Sequence, residues 1–366
     1  MPPPRLDVLA IGNAIVDVIA DADDAFLERE GLTKGSMRLV DAEEAERLYS
    51  HMGPGREVSG GSAGNTAAGV AALGGSAGFV GQVAPDQLGA FYVHDLTAAG
   101  VAALGGRAGF IGQVAPDQLG EFYIHDLRAT GVEFTTPPAD FGVPTARSMV
   151  LVTPDGHRTM NTFLGAAQHL PVAALDEAQI AGAAILYLEG YLWDPATPRY
   201  AMVRAIEVAR AAGRKVAFTL SDTFCIERHR DGFNALIDGG RIDILFANEA
   251  EIQALAGVPH FETAVEAVRG KVGTLVVTRS ERGAIALADG ERAAVAAEPA
   301  AVVDTTGAGD LFAAGFLVGQ TQRRPLADSL RLGAIAAAEV ISHYGARPEA
   351  NLKETARRVL PQGRSA

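Results

Sequence analysis

The chain has 366 residues, a formal net charge of −13 and 48% hydrophobic residues. That length suits one large or two ordinary domains, and the acidic balance argues against a nucleic-acid-binding surface. The single cysteine, Cys225, excludes an internal disulfide and fits a reducing, cytoplasmic setting.

Residues 6–20 read as a first strand, led by Leu6-Asp7-Val8-Leu9-Ala10-Ile11-Gly12. Asn13 and Asp17 interrupt its apolar run and only Arg5 precedes it, so it is neither a secretion signal nor a membrane span. Both polar residues fall past the strand's carboxyl end, where open α/β sheets collect ligands. Residues 41–52 form a short amphipathic helix. Gly60-Gly61-Ser62-Ala63-Gly64-Asn65 is a glycine turn that opens a helix from about Ser62 to Leu73. Apolar strands recur at 148–153, 184–188, 215–220, 242–246, 274–278 and 300–304, with helical patterns at 198–212, 263–270 and 326–343. This alternation predicts an α/β chain with a mostly parallel sheet covered on both faces. Segment 132–163 breaks the alternation with β-prone residues, Pro137, Pro138 and Pro144, and an Asp155-Gly156 hairpin turn. With residues near 21–39 it is expected to form a small β-lid on a single domain spanning 1–366.

Residues 70–100 and 101–131 are a tandem repeat that differs at only six positions. Two copies cannot bury a solenoid core, so this is a duplicated strand-plus-helix unit. The second copy carries Gly109-Phe110-Ile111-Gly112 as its strand and 117–130 as its helix.

The sharpest signal is Asp304-Thr305-Thr306-Gly307-Ala308-Gly309-Asp310, between the apolar stretch ending at Val303 and a helical pattern from Leu311. The glycines allow a tight turn that exposes backbone N–H groups at a helix start, where anions are favoured. Asp310 stands at the join, able to accept a hydroxyl proton or simply to cap the helix. No Lys-Ser/Thr follows the glycines, so this is not a Walker A loop.

The segment resembles the C-terminal signature of the ribokinase-like (PfkB) carbohydrate and nucleoside kinases. The motif order supports the resemblance over roughly 6–350: Asp17, Gly60-Gly61 with Asn65, a lid, Asn248-x-x-Glu251, then the glycine turn. It implies a three-layer α/β/α fold and phosphoryl transfer from ATP with Mg²⁺, and it also allows a monovalent cation such as K⁺. Asp310 would be the catalytic base, and Gly307, Ala308 and Gly309 the anion hole. Asn13, Asp17, Gly60, Gly61, Ser62, Asn65 and Phe163 would meet the substrate. Asn248, Thr278, Gly283 and His343, with Gly307 and Gly309, would line the nucleotide, and Glu251 would hold Mg²⁺ through water. The resemblance fits a small-molecule substrate and a monomer or homodimer, without membrane or nucleic acid. The family carries the repeated unit once, so one copy is expected in the sheet and the other outside it or at its margin.

Gly12-Asn13-Ala14-Ile15-Val16-Asp17 and Asp155-Gly156-His157-Arg158-Thr159-Met160-Asn161 resemble the adenosine-kinase-like branch. Ser62 stands where ribokinases place Lys, which points the same way. Ile15, Met37 and Phe163 could flank a base. A phosphosugar substrate would need cations, for which Arg147 and Arg158 are candidates. Three alternatives stand beside this reading. A sugar kinase for ribose, fructose or 2-keto-3-deoxygluconate shares the catalytic motifs. A non-catalytic nucleoside or sugar sensor has no need of Asp310. A nicotinamide oxidoreductase requires a G-x-G-x-x-G spacing that Gly60-Gly61-x-x-Gly64 does not supply.

Overall fold

The computed structural model describes residues 3–82, 84, 88, 109–111, 133–134, 142–155 and 157–360. The described strands are, in chain order, β1 (Leu6–Ile11), β2 (Ile15–Asp21), β3 (Met37–Leu39), β4 (Arg56–Ser59), β5 (Ala77–Val80), β6 (Gly109–Ile111), β7 (Glu133–Phe134), β8 (Ala146–Val152), β9 (Arg158–Phe163), β10 (Ala183–Glu189), β11 (Lys215–Thr219), β12 (Ile244–Asn248), β13 (Thr274–Thr278), β14 (Ala284–Ala288) and β15 (Glu291–Val295). A ten-stranded sheet runs β15-β14-β13-β12-β11-β10-β1-β5-β6-β7. It is parallel from β7 to β13, and the hairpin β13–β14–β15 closes one edge antiparallel.

Its central strands are apolar on both faces because helices cover both. In β1, Val8 and Ala10 pack with the helices Ser62–Ala72, Ala308–Thr321 and Leu326–Val340. Leu9 and Ile11 face the other way, into a core shared with Ala196–Ala211, Thr223–Asp238 and Phe261–Val268. Tyr187 and Leu188 of β10 divide in the same manner. This is the ribokinase-like three-layer α/β/α arrangement, whose parallel strands open their carboxyl ends to a ligand. No helix among the described residues is long and apolar enough to cross a membrane.

A second, five-stranded sheet, β3-β9-β8-β2-β4, forms the lid. It is broader than the sequence reading. Residues 6–20 are two strands, and β2, which carries Asp17, belongs to the lid rather than to the main sheet. β4 also joins it. Glu133–Phe134, assigned to the lid from sequence, pairs with the main sheet instead. A small core of Phe26, Leu48, Met149, Leu151 and Phe163 fastens the lid strands to the helix Ala42–His51.

Two further expectations change. Residues 300–304 form no strand: Val302 and Val303 are exposed, and the backbone N–H groups of Val303 and Asp304 donate to the Ile341 carbonyl. The β14–β15 hairpin, which follows β13, forms that edge of the sheet. The strands of both repeat copies lie inside the sheet, against the expectation that one copy would stay outside or at its margin. β6 pairs with β5 in parallel, Gly78 opposite Gly109, Phe79 opposite Phe110 and Val80 opposite Ile111, and β7 lies beyond it. The repeat's expected helices fall almost wholly outside the described residues.

Candidate active site

The site gathers where β1 and β10 end. Glu189, the last residue of β10, has no solvent exposure. Its Oε1 accepts from the Asn13 backbone N–H (2.6 Å) and side-chain amide (2.8 Å). Its Oε2 accepts from the Ala63 N–H at 2.8 Å. One carboxylate therefore ties the end of β1 to the start of the helix Ser62–Ala72. Burial pushes its pKa up to about 7, against the pull of the Asn13 and Ala63 donors.

Between these anchors the glycine turn must pass very close to its neighbours. Gly61 has φ of +81°, and a Cβ there would collide with the Asn13 carbonyl oxygen. A Cβ on Gly60 would strike the Asp17 carboxylate, so the turn and the lid strand meet through bare backbone. Burial also lifts Asp17 to about 7, while Arg347 and Arg158 restrain the shift. Arg347 is itself buried and donates to the carbonyls of Ser59 (3.0 Å) and Gly64 (2.8 Å).

Asp310 sits in the first turn of Ala308–Thr321, after Gly307 in the left-handed region at φ +77°. A Cβ on Gly307 would lie 2.7 Å from that of Ala346, whereas one on Gly309 would point into open space. No side chain caps this helix start; the Ala308 N–H makes a turn bond to the Thr305 carbonyl at 3.3 Å, and the next N–H groups of the first turn suit an anion. Ser62 Oγ donates to Asp310 Oδ1 at 2.6 Å, and Asn65 Nδ2 donates to Oδ2 at 2.9 Å. Thr66 Oγ1 adds a bond to the Asp310 carbonyl. Burial raises the Asp310 pKa; Ser62, Asn65 and Arg347 hold it down. The other Asn65 atom, Oδ1, is buried without a hydrogen-bond partner, an acceptor beside Asp310 suited to a substrate hydroxyl.

The lid reaches the glycine turn through one side chain. Arg158 of β9 pairs with Asp304 and donates to Thr306 Oγ1 at 2.7 Å, its guanidinium 5.8 Å from the centre of the Tyr344 ring. Asp304 also accepts from the N–H groups of Thr306 (2.9 Å) and Gly345 (2.8 Å). A cation, a helix start and a carboxylate thus converge on one point.

Asn13, Asp17, Gly60, Gly61, Ser62, Asn65, Gly307, Ala308, Gly309 and Asp310 form this one cluster. The remaining sequence candidates stand apart from its hydrogen bonds. Asn248 and Glu251 bond each other in a reciprocal capping box, with burial lifting Glu251 to about 7. Thr278 ends β13, and Gly283 has φ of +80°, where a Cβ would collide with the Val295 carbonyl oxygen. His343 lies 3.3 Å from Glu339 at the end of Leu326–Val340. Phe163 is buried in the lid core. Two members were missed from sequence, Glu189 and Arg347. Glu189 had a usable signal, an acid ending the apolar run Ala183–Leu188, whereas Arg347 had none.

The profile of the pfkB family carbohydrate kinases matches residues 97–352. A crystal structure of adenosine kinase from Sinorhizobium meliloti is 46% identical with a TM-score of 0.81, covering 97% of this chain and 99% of that one. A probable sugar kinase from Rhizobium etli CFN 42 is 44% identical, also with a TM-score of 0.81 and the same coverage. Cytidine kinase of Thermococcus kodakarensis is 35% identical over 142 residues, 37% of this chain and 50% of that protein's length. The chain belongs to the PfkB family, a family of kinases. Its relatives carry nucleoside and sugar names alike.

Proposed function

We propose that this protein is an ATP-dependent kinase that phosphorylates the primary hydroxyl of a ribonucleoside, adenosine to AMP. The observation that carries the reading is the pair of hydrogen bonds from Ser62 and Asn65 to Asp310, which join the substrate turn to the base. The likeness to the Sinorhizobium meliloti adenosine kinase supports the substrate.

In this mechanism Asp17, Gly61 and Asn65 hold the ribose hydroxyls, with Asn13 and Gly60 fixing the loop. Asp310 orients the acceptor hydroxyl and takes its proton as the hydroxyl oxygen bonds to the γ-phosphorus and the bond from that phosphorus to the departing ADP breaks. Burial raises the pKa of Asp310, which strengthens it as a proton acceptor. The N–H groups after Gly307, with Arg158 above them, stabilise the charge on the transferring group. Gly307, Gly309, Thr278, Gly283, Asn248 and His343 lie along the nucleotide side. Phe163 supports the lid, whose closure excludes water.

Among the described residues no group of three His, Cys, Asp or Glu converges to hold a metal. Both oxygens of Glu251 are engaged by Asn248. These residues fit Mg²⁺ carried by the nucleotide's phosphates, with Glu251 meeting it through water. Such an ion neutralises phosphate charge.

A sugar substrate is the second reading, favoured by the Rhizobium etli relative. The test is ADP release from Mg-ATP with adenosine, guanosine, inosine, ribose, fructose and 2-keto-3-deoxygluconate. Turnover on adenosine above the others is expected. Turnover confined to a free sugar would overturn the nucleoside assignment.

A further inference from the structure

The two helices that build the active site both run to one small cavity. Ser62–Ala72 starts at the Asp310 contacts and ends at Leu73; Ala308–Thr321 starts at the glycine turn and ends near Gln322. At 1.5 Å per residue their far ends lie roughly 15–20 Å from Asp310. There, with the helices Leu326–Val340 and Leu352–Val359 alongside, they line a partly open cavity of about 250 Å³. Leu73, Val318 and Leu332 give it apolar walls, and Arg324, Lys353 and Arg357 stand around it.

Those three cations set it apart. The chain carries a net charge of −13, and many of its arginines are matched to carboxylates. Among the described residues Arg324 bonds the neutral Gln322, at 2.9 Å, and none of the three makes an ion pair with a carboxylate. Lys353 is held in place: a Cβ on Gly74 would lie 2.9 Å from its Cδ and Cε and 3.2 Å from its Nζ. The turn at Gly74, at φ +87°, therefore provides a seat for the lysine stem at the cavity's rim. Three cations without ion-pair partners around a pocket with some apolar wall suit a ligand with a doubly charged head and a small apolar body.

We propose that this cavity binds a small organic phosphate, its phosphate held by Arg324, Lys353 and Arg357 and its apolar part set against Leu73, Val318 and Leu332. The site is separate from the anion hole at Gly307–Asp310 and does not depend on the kinase assignment.

Phenyl phosphate is the probe, titrated calorimetrically into the full chain at low and physiological salt. Inorganic phosphate and neutral benzyl alcohol serve as comparisons. One-to-one binding is expected, tighter than inorganic phosphate, weakened by salt and absent with benzyl alcohol. The double variant Arg324→Gln/Lys353→Gln should raise Kd about tenfold or more, with its ligand-free melting temperature unchanged. Equal affinity in variant and wild type would move the ligand elsewhere, the anion hole included, and overturn the proposal. So would equal affinity for phenyl and inorganic phosphate, or no binding up to the solubility limit.

Discussion

Replacing Asp310 by Asn separates the chemistry of the site from its architecture. The carboxylate accepts from Ser62 Oγ at 2.6 Å and Asn65 Nδ2 at 2.9 Å. In the variant, Oδ1 can still accept from Asn65, while the new amide donates to Ser62, whose hydroxyl rotates to receive it. Both contacts survive, and a carboxylate whose pKa burial has raised is removed. Folding stability should therefore change by no more than about 1 kcal/mol. Asp310→Ala, by contrast, strands the Ser62 hydroxyl and the Asn65 amide and should cost about 1–3 kcal/mol. The proton acceptor is lost in both. General-base removal predicts a fall in kcat of about 10²–10⁴-fold, equivalent to about 3–5 kcal/mol of barrier. Coupled ADP release with adenosine and Mg-ATP measures the first quantity, and thermal melting the second. A kcat within a few-fold of wild type in Asp310→Asn would refute the base assignment. A melting temperature as low as that of the alanine variant would refute the hydrogen-bond argument.

Gly61→Ala forces a side chain into the left-handed region and onto the Asn13 carbonyl, so urea denaturation should report a loss of at least about 1–3 kcal/mol. Wild-type stability would contradict the close approach. Arg158→Gln removes one partner of a buried pair, at about 3 kcal/mol because Asp304 keeps its two backbone donors. Faster hydrogen exchange in β8 and β9 is expected, and unaltered exchange would contradict a latch between lid and turn. Asp17, Glu189 and Glu251 titrate near 7 in the folded chain, well above ordinary carboxylates. Between about pH 5 and 7 the folded state keeps protons that the unfolded state has released, so stability falls as pH rises. Urea midpoints at pH 5, 6, 7 and 8 check the sign, and a steady rise across the series would show it wrong.

Local rules exposed the parts of this molecule that depend on local geometry. Gly61 and Gly307 could be picked out because only glycine suits a turn at positive φ with backbone pressed against it. The central strands were legible because a parallel strand buried on both faces is continuously apolar. The same rule misled at Val302 and Val303, an apolar run that is exposed and bonds its backbone to Ile341 instead of a strand. β2 was hidden because the break after Ile11 leaves the residue pattern intact while the chain crosses to another sheet. Arg158 and Arg347 act on residues far away in sequence, Arg347 on Ser59 and Gly64 and Arg158 on Asp304. Spacing within a motif says nothing of such pairings.

The pairing of β5 with β6 shows how a sheet can lengthen by copying itself. Each residue of β6 lies beside its own counterpart, glycine by glycine, phenylalanine by phenylalanine and valine by isoleucine. Parallel, in-register neighbours point matching side chains to the same face. The duplicated strand thus lies beside its parent in register, with isoleucine in place of valine at one of the three paired positions. Added beyond β5, it leaves untouched the junction of β1 and β10 where the carboxylates gather. The chemistry sits where β1 meets β10, and the copied strand is taken up on the far side of β5, between it and β7.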